Sequence, residues 1–145
     1  MLGRLNAVMK LRLLLPLTLG LLSGCQSHRA TNNESPTLRP FAGSYYRGNG
    51  RYSISLDLSA DGSYNAKGRG CLGSFGVARG SWAVLSDRIA LSPTKETRGM
   101  KGHLKQFDIV RHDGHLILVQ SDDRAFFDAQ GVSRGSCFQR IATLK

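Results

Sequence analysis

Two of the four histidines, His112 and His115, flank the dipeptide Asp113-Gly114. A two-residue turn there pairs the imidazoles side by side, with Asp113 adjacent. That arrangement can chelate zinc or copper if Asp108 or His103 supplies a third ligand. The same residues also serve as polar turn residues, and both readings stand. Two other matches do not survive their context. Gly68-Arg69-Gly70-Cys71-Leu72-Gly73 fits the dinucleotide pattern G-x-G-x-x-G, which works only between a strand and a helix. Here another strand follows, and the glycines are expected to form a tight loop. Gly131-Val132-Ser133-Arg134-Gly135 fits a nucleophile elbow, but the ten residues after Gly135 contain no Asp, Glu or His to complete a triad. Asp122, Asp123 and Asp128 adjoin Arg124 and read as a solvated loop, not as a paired acid and base. No catalytic residue and no cofactor is assigned, and the chain is not expected to be an enzyme.

The elements around these residues read as β almost throughout. Tyr52, Ile54, Leu56 and Leu58 alternate with Ser53, Ser55 and Asp57. Asp61-Gly62 supplies turn chemistry, and Tyr64, Ala66 and Gly68 alternate with Asn65, Lys67 and Arg69. A strand through Ala78–Val84 carries Trp82, and Ser86-Asp87 turns it into Arg88–Leu91. Residues 92–102, with Pro93 and Gly99, read as a loop. The clearest hairpin is Lys105–His112, Asp113-Gly114, His115–Gln120. A helical turn or two fits within 122–130, residues 131–136 are loop-like, and Cys137–Ile141 closes the chain. The expectation is an all-β domain over 41–145: a small antiparallel meander barrel or roll of about eight short strands. Short strands favour an interior filled by side chains.

The hairpin register separates two faces. Phe107, Ile109, Leu116 and Leu118 form the better core face. Val110, Ile117 and Val119 lie opposite, unusually apolar for a solvated side. Either another segment of the chain covers this strip, or it is a partner-binding surface.

Leu22-Ser23-Gly24-Cys25 follows ten largely apolar residues, and Arg4, Lys10 and Arg12 precede them. This segment resembles a bacterial lipoprotein signal with its lipobox. The stretch is about half the 20 residues that span a bilayer. The resemblance implies removal of residues 1–24 and acylation of Cys25. Acyl chains contribute about 0.8 kcal/mol per buried methylene, so two or more hold a protein stably on a membrane. Gln26 at the next position favours the outer membrane, facing the periplasm. Residues 25–40 then form the lipidated N-terminus and a linker spanning roughly 20 Å. With Cys25 acylated, Cys71 and Cys137 remain as an even pair in an oxidising compartment. A disulfide between them is expected, worth roughly 4 kcal/mol in the chain-entropy account, against the alternative of two buried free thiols.

Charge narrows the partners. The full chain carries +10, and removing the three basic residues of the signal leaves +7. The cations are spread, including Arg47, Arg51, Lys67, Arg69, Arg79, Arg98, Lys101, Lys105 and Arg111. No basic stripe with interleaved aromatics appears, so nucleic acid is not an expected partner. The charge suits either a solvated surface or an anionic envelope component or envelope protein.

Gly43 through Leu91 carries Gly43-x-Tyr45, Leu56-Asp57-Leu58-x-x-Asp61-Gly62-x-Tyr64, Gly80-Ser81-Trp82 and Ile89-x-Leu91. This layout resembles small lipocalin-like lipoprotein domains, among them the amino-terminal domain of the NlpE copper-stress lipoproteins. The chain lacks their C-x-x-C pair, so the resemblance does not extend to copper or redox sensing. Two functional expectations follow. One is a lipid-anchored, non-catalytic interaction module of the cell envelope. The other is a lipocalin-like carrier of a lipophilic ligand or metal, which a cavity lined by Tyr52, Tyr64, Trp82 and Phe107 would favour.

Overall fold

The protein was analysed as a computed structural model that describes residues 35–141. The signal segment, Cys25 and the start of the linker lie outside the described residues. Eight antiparallel strands run in chain order around a closed barrel. They are β1 (Gly43–Gly48), β2 (Tyr52–Leu58), β3 (Ser63–Gly70), β4 (Gly73–Leu85), β5 (Arg88–Glu96), β6 (Gln106–His112), β7 (His115–Gln120) and β8 (Phe138–Arg140). Among the described residues one α-helix, α1 (Arg124–Gln130), lies between β7 and β8, after a 3-10 turn at Ser121–Asp123. Closure is made where Tyr45 and Tyr46 of β1 meet Arg140 and Gln139 of β8. Every strand is therefore paired on both sides, and the described residues contain a complete folded unit.

Alternation sets which side chains enter the barrel. Tyr45, Leu56, Leu58, Tyr64, Trp82, Ile89, Phe107, Leu118 and Phe138 are buried there in one cluster. Small residues face one another where β3 meets β4, Ala66 opposite Ala78 and Gly68 opposite Gly76, while Gly80 stands opposite Tyr64. That leaves room for Phe75, whose ring would lie 2.3 Å from a Cβ at Gly68. Residues 35–42 form turns across one end of the barrel. Ser35 N–H donates to the Ala60 carbonyl at 3.0 Å, and Leu38, Phe41 and Ala42 pack on the core. The β2–β3, β4–β5 and β6–β7 turns lie at this end, and the other connections lie at the opposite end.

The hairpin of β6 and β7 has the expected register, with His112 opposite His115 and Val110 opposite Ile117. Asp113 and Gly114 both take positive φ, as a two-residue hairpin turn of the favoured hand requires. Phe107 and Leu118 are fully buried on the inner face.

Three expectations are corrected. The Cys71–Cys137 disulfide is absent. Cys71 is exposed in the turn between β3 and β4, whereas Cys137 is buried beside Ile117, Val119 and Phe127. A bridge needs Cα atoms within about 7 Å, and these two belong to different parts of the barrel. The glycine-rich segment around Cys71 is not a loop but the close of β3, a turn and the start of β4. Residues 92–96 are not loop either: β5 continues to Glu96. Pro93 is accommodated opposite Gly80, where the β4–β5 register shifts by a bulge.

Candidate functional site

The apolar strip behind the β6–β7 hairpin is covered by the chain itself. Ile117 and Val119 are buried in a second cluster with Phe127 of α1 and Cys137, and half-buried Val110 packs against it. Val110, Ile117 and Val119 are therefore not an open partner surface. Helix α1 owes its position to this contact, because Phe127 is its one buried residue. Tyr64 and Trp82, also considered as ligand-facing, lie inside the packed barrel with 3 % and 4 % exposure. Trp82 donates its indole N–H to the Ser59 carbonyl at 2.9 Å. The Tyr64 hydroxyl is buried with no hydrogen-bond partner among the described residues. Burial holds its proton on and raises its pKa, and Glu96 adds to the shift. Tyr52 alone of the aromatic set reaches solvent, at the barrel rim.

His112 and His115 are cross-strand partners, as the turn implies. His112 Nε2 stands 3.2 Å from an Asp113 carboxylate oxygen. Asp108, one of the suggested third ligands, is committed elsewhere, to Arg88 at 3.1 Å and to the Ser121 hydroxyl at 3.0 Å. His103 belongs to the loop at the opposite end of the barrel. Among the described residues no three His, Cys, Asp or Glu side chains converge as a metal site.

A concavity with both apolar and charged walls lies at the end away from residues 35–42. It measures about 450 Å³. Tyr52, Ile54 and Phe75 form its apolar wall, and the Tyr52 and Phe75 rings meet edge to face at 6.4 Å. Its polar wall is organised by Arg47, which enters from β1 on the inner face. The Arg47 guanidinium donates to the Gln120 side-chain oxygen at 2.5 Å, to the Asp123 carboxylate at 2.6 Å and to the Gly135 carbonyl at 2.9 Å. It also lies 5.9 Å from the Phe138 ring centroid. Asp122 and His103 complete this side.

Comparison with family models, curated proteins and solved structures returns no match. The site must therefore be judged on its own geometry. A single planar cation draws β1, the turn after β7 and the segment before β8 together around the mouth. Its Nε and Nη1 donors are used by protein acceptors, and the Asp123 carboxylate offsets its charge, so Arg47 shapes the concavity. Sequence reasoning had placed Arg47 only among dispersed surface cations. Its partners lie 73 to 88 positions away, beyond any local motif.

Proposed function

We propose that this protein is a lipid-anchored lipoprotein of the bacterial cell envelope that acts by binding, without catalysis, on the periplasmic side of the outer membrane. The observation that carries the binding mode is the filled barrel. Tyr45, Leu56, Tyr64, Trp82, Phe107 and Phe138 occupy the space where a carrier of the lipocalin type would hold its cargo. Contacts with a partner then fall on the rim, the turns and the outer strands. The anchor rests on Cys25 and the segment before it. Labelling cells with a radioactive fatty acid tests it: the label is expected on the wild type and absent after Cys25→Ser. Crosslinking in the envelope followed by affinity purification tests the binding mode. Recovery of a defined envelope protein, or of anionic lipid enriched over the bulk composition, supports it, and recovery of lipid at bulk composition alone overturns it in favour of an anchored protein with no specific partner.

A carrier reading survives in reduced form through the 450 Å³ mouth. Its wall of Tyr52, Ile54 and Phe75 offers an apolar surface for one small molecule. A lipophilic fluorophore whose emission changes with the protein, and reverts with Phe75→Ser, would favour that reading.

A further inference from the structure

At the mouth end, the β1–β2 and β3–β4 turns lie side by side. The Cys71 thiol sits 3.5 Å from the Arg51 carbonyl oxygen. Between these turns is a notch of about 120 Å³, lined by Tyr46, Arg51, Tyr52, Ser53, Arg69 and Cys71 among others. Among the described residues neither Arg51 nor Arg69 forms an ion pair.

The surroundings extend this charge in one direction. Lys67 is on the same outer face of β3 as Arg69, and Arg79 of β4 stands directly opposite Lys95 of β5. Like charges placed opposite one another disfavour strand pairing, yet among the described residues no acid pairs with either, and Arg79 donates to the Asn65 side-chain oxygen at 3.1 Å. Asp57 is the one acidic residue in strands β1 to β4, and it accepts the Ser44 hydroxyl at 2.7 Å. Asp61 and Asp87 lie in turns at the opposite end and Glu96 ends β5, while Asp108, Asp113, Asp122, Asp123 and Asp128 belong to the segment from β6 to α1.

Leu72 tells one class of anion from the others. It crowns the β3–β4 turn and is completely exposed, with Tyr52 62 % and Tyr46 41 % exposed beside the notch. An apolar knob is wasted on a glycan or a free phosphate. Beside tyrosines and arginines it matches the boundary between headgroups and acyl chains.

We propose that this tip is a docking surface for anionic phospholipid. The Arg51–Arg69 notch takes a headgroup phosphate, Leu72 enters the apolar boundary, and Lys67, Arg79 and Lys95 extend the contact along the barrel flank. The inference rests on the envelope reading for its setting. Ten positions separate Cys25 from Ser35, at most about 35 Å of chain, and an eight-residue strand is about 27 Å long. That length lets a chain anchored at Cys25 lay this flank on its own membrane.

The test uses the unacylated chain from Gln26 onward, which contains the whole barrel, so a failure of the anchor leaves the assay intact. Co-sedimentation with phosphatidylcholine vesicles is compared with and without phosphatidylglycerol. Binding is expected only with the anionic lipid and is expected to weaken as salt rises. Each neutralised cation weakens binding about fivefold, so Arg51→Gln with Arg69→Gln costs about 25-fold. Leu72→Ser costs about tenfold or more, and Arg111→Gln at the far end changes nothing. Unchanged thermal unfolding of each variant excludes misfolding as the cause. The proposal is overturned by equal binding to neutral vesicles, by full retention in the double variant, or by no vesicle binding at all. Release of the wild type by inorganic phosphate, at an ionic strength where chloride does not release it, would reassign the notch to free phosphate.

Discussion

Replacing Arg47 with Met keeps much of the length of the side chain and removes its charge and donors. The loss is concentrated at one point. Three acceptors are released together: the Gln120 amide oxygen, the Asp123 carboxylate and the Gly135 carbonyl. A hydrogen bond to a charged group is worth about 1.5–3 kcal/mol net, but bonds sharing one donor group do not add. The Arg47 side chain keeps 21 % of its exposure and that of Asp123 36 %, so water recovers part of the loss. The expected cost is about 2–3 kcal/mol. For a domain of this size it lowers Tm by about 8–24 °C, since 1 kcal/mol is worth about 4–8 °C. Circular dichroism across a thermal ramp measures it. Arg47→Lys is expected to recover less than half, because an ammonium cannot span these acceptors as a planar fork does. A double-mutant cycle with Asp123→Asn should return a coupling above about 1 kcal/mol. A drop below about 3 °C for Arg47→Met, or no coupling to Asp123, would refute the clamp.

Tyr45 is fully buried, donates to the Phe41 carbonyl at 2.6 Å, and has its pKa pushed up to about 12 by burial, with Arg140 opposing. Its stabilising effect is therefore whole below pH 10 and is lost as pH rises from 10 towards 12, by up to about 3 kcal/mol; denaturant unfolding across this range should show a fall that Tyr45→Phe reduces. Tyr64→Phe removes a hydroxyl without a partner and should be neutral or stabilising in the same measurement, and a loss above about 1 kcal/mol would show that the hydroxyl is satisfied by something else. A Cβ at Gly80 would lie 2.1 Å from the Ser92 carbonyl oxygen, a backbone atom that cannot swing aside. Gly80→Ala should cost about 1–3 kcal/mol, and an unchanged Tm would contradict the tight β4–β5 approach.

Local signals carried the barrel well. Period-two alternation placed β2, β3 and the β6–β7 hairpin, and Asp113-Gly114 set the register that pairs His112 with His115. Proline misled at residue 93, because a bulge opposite Gly80 removes the usual conflict with pairing. Cysteine parity misled for a different reason. An even count in an oxidising compartment says that two thiols could pair, whereas geometry decides whether they meet. Cys71 lies at a turn tip and Cys137 under α1. The strip of Val110, Ile117 and Val119 was recognised as needing cover, but its partner Phe127 comes from a seven-residue helix too short for a strong periodic signal. Arg47 was invisible as a clamp because its contacts are made only after the barrel closes. The Arg51–Arg69 notch is similar, built by two neighbouring turns that the sequence separates.

Barrel closure also carries a consequence for timing. Tyr45 meets Arg140 across 95 positions of sequence, and β8 pairs through only two residues on each side. While the chain is being made, β1 emerges first and pairs with β2, but its other edge stays open until β8 has followed. High contact order of this kind places folding in the millisecond-to-second range. It also leaves an open edge available to other chains. The last strand is thus a latch on the molecule's birth: truncation by a few residues at β8 should yield a chain that aggregates as it is produced, not one that merely melts earlier.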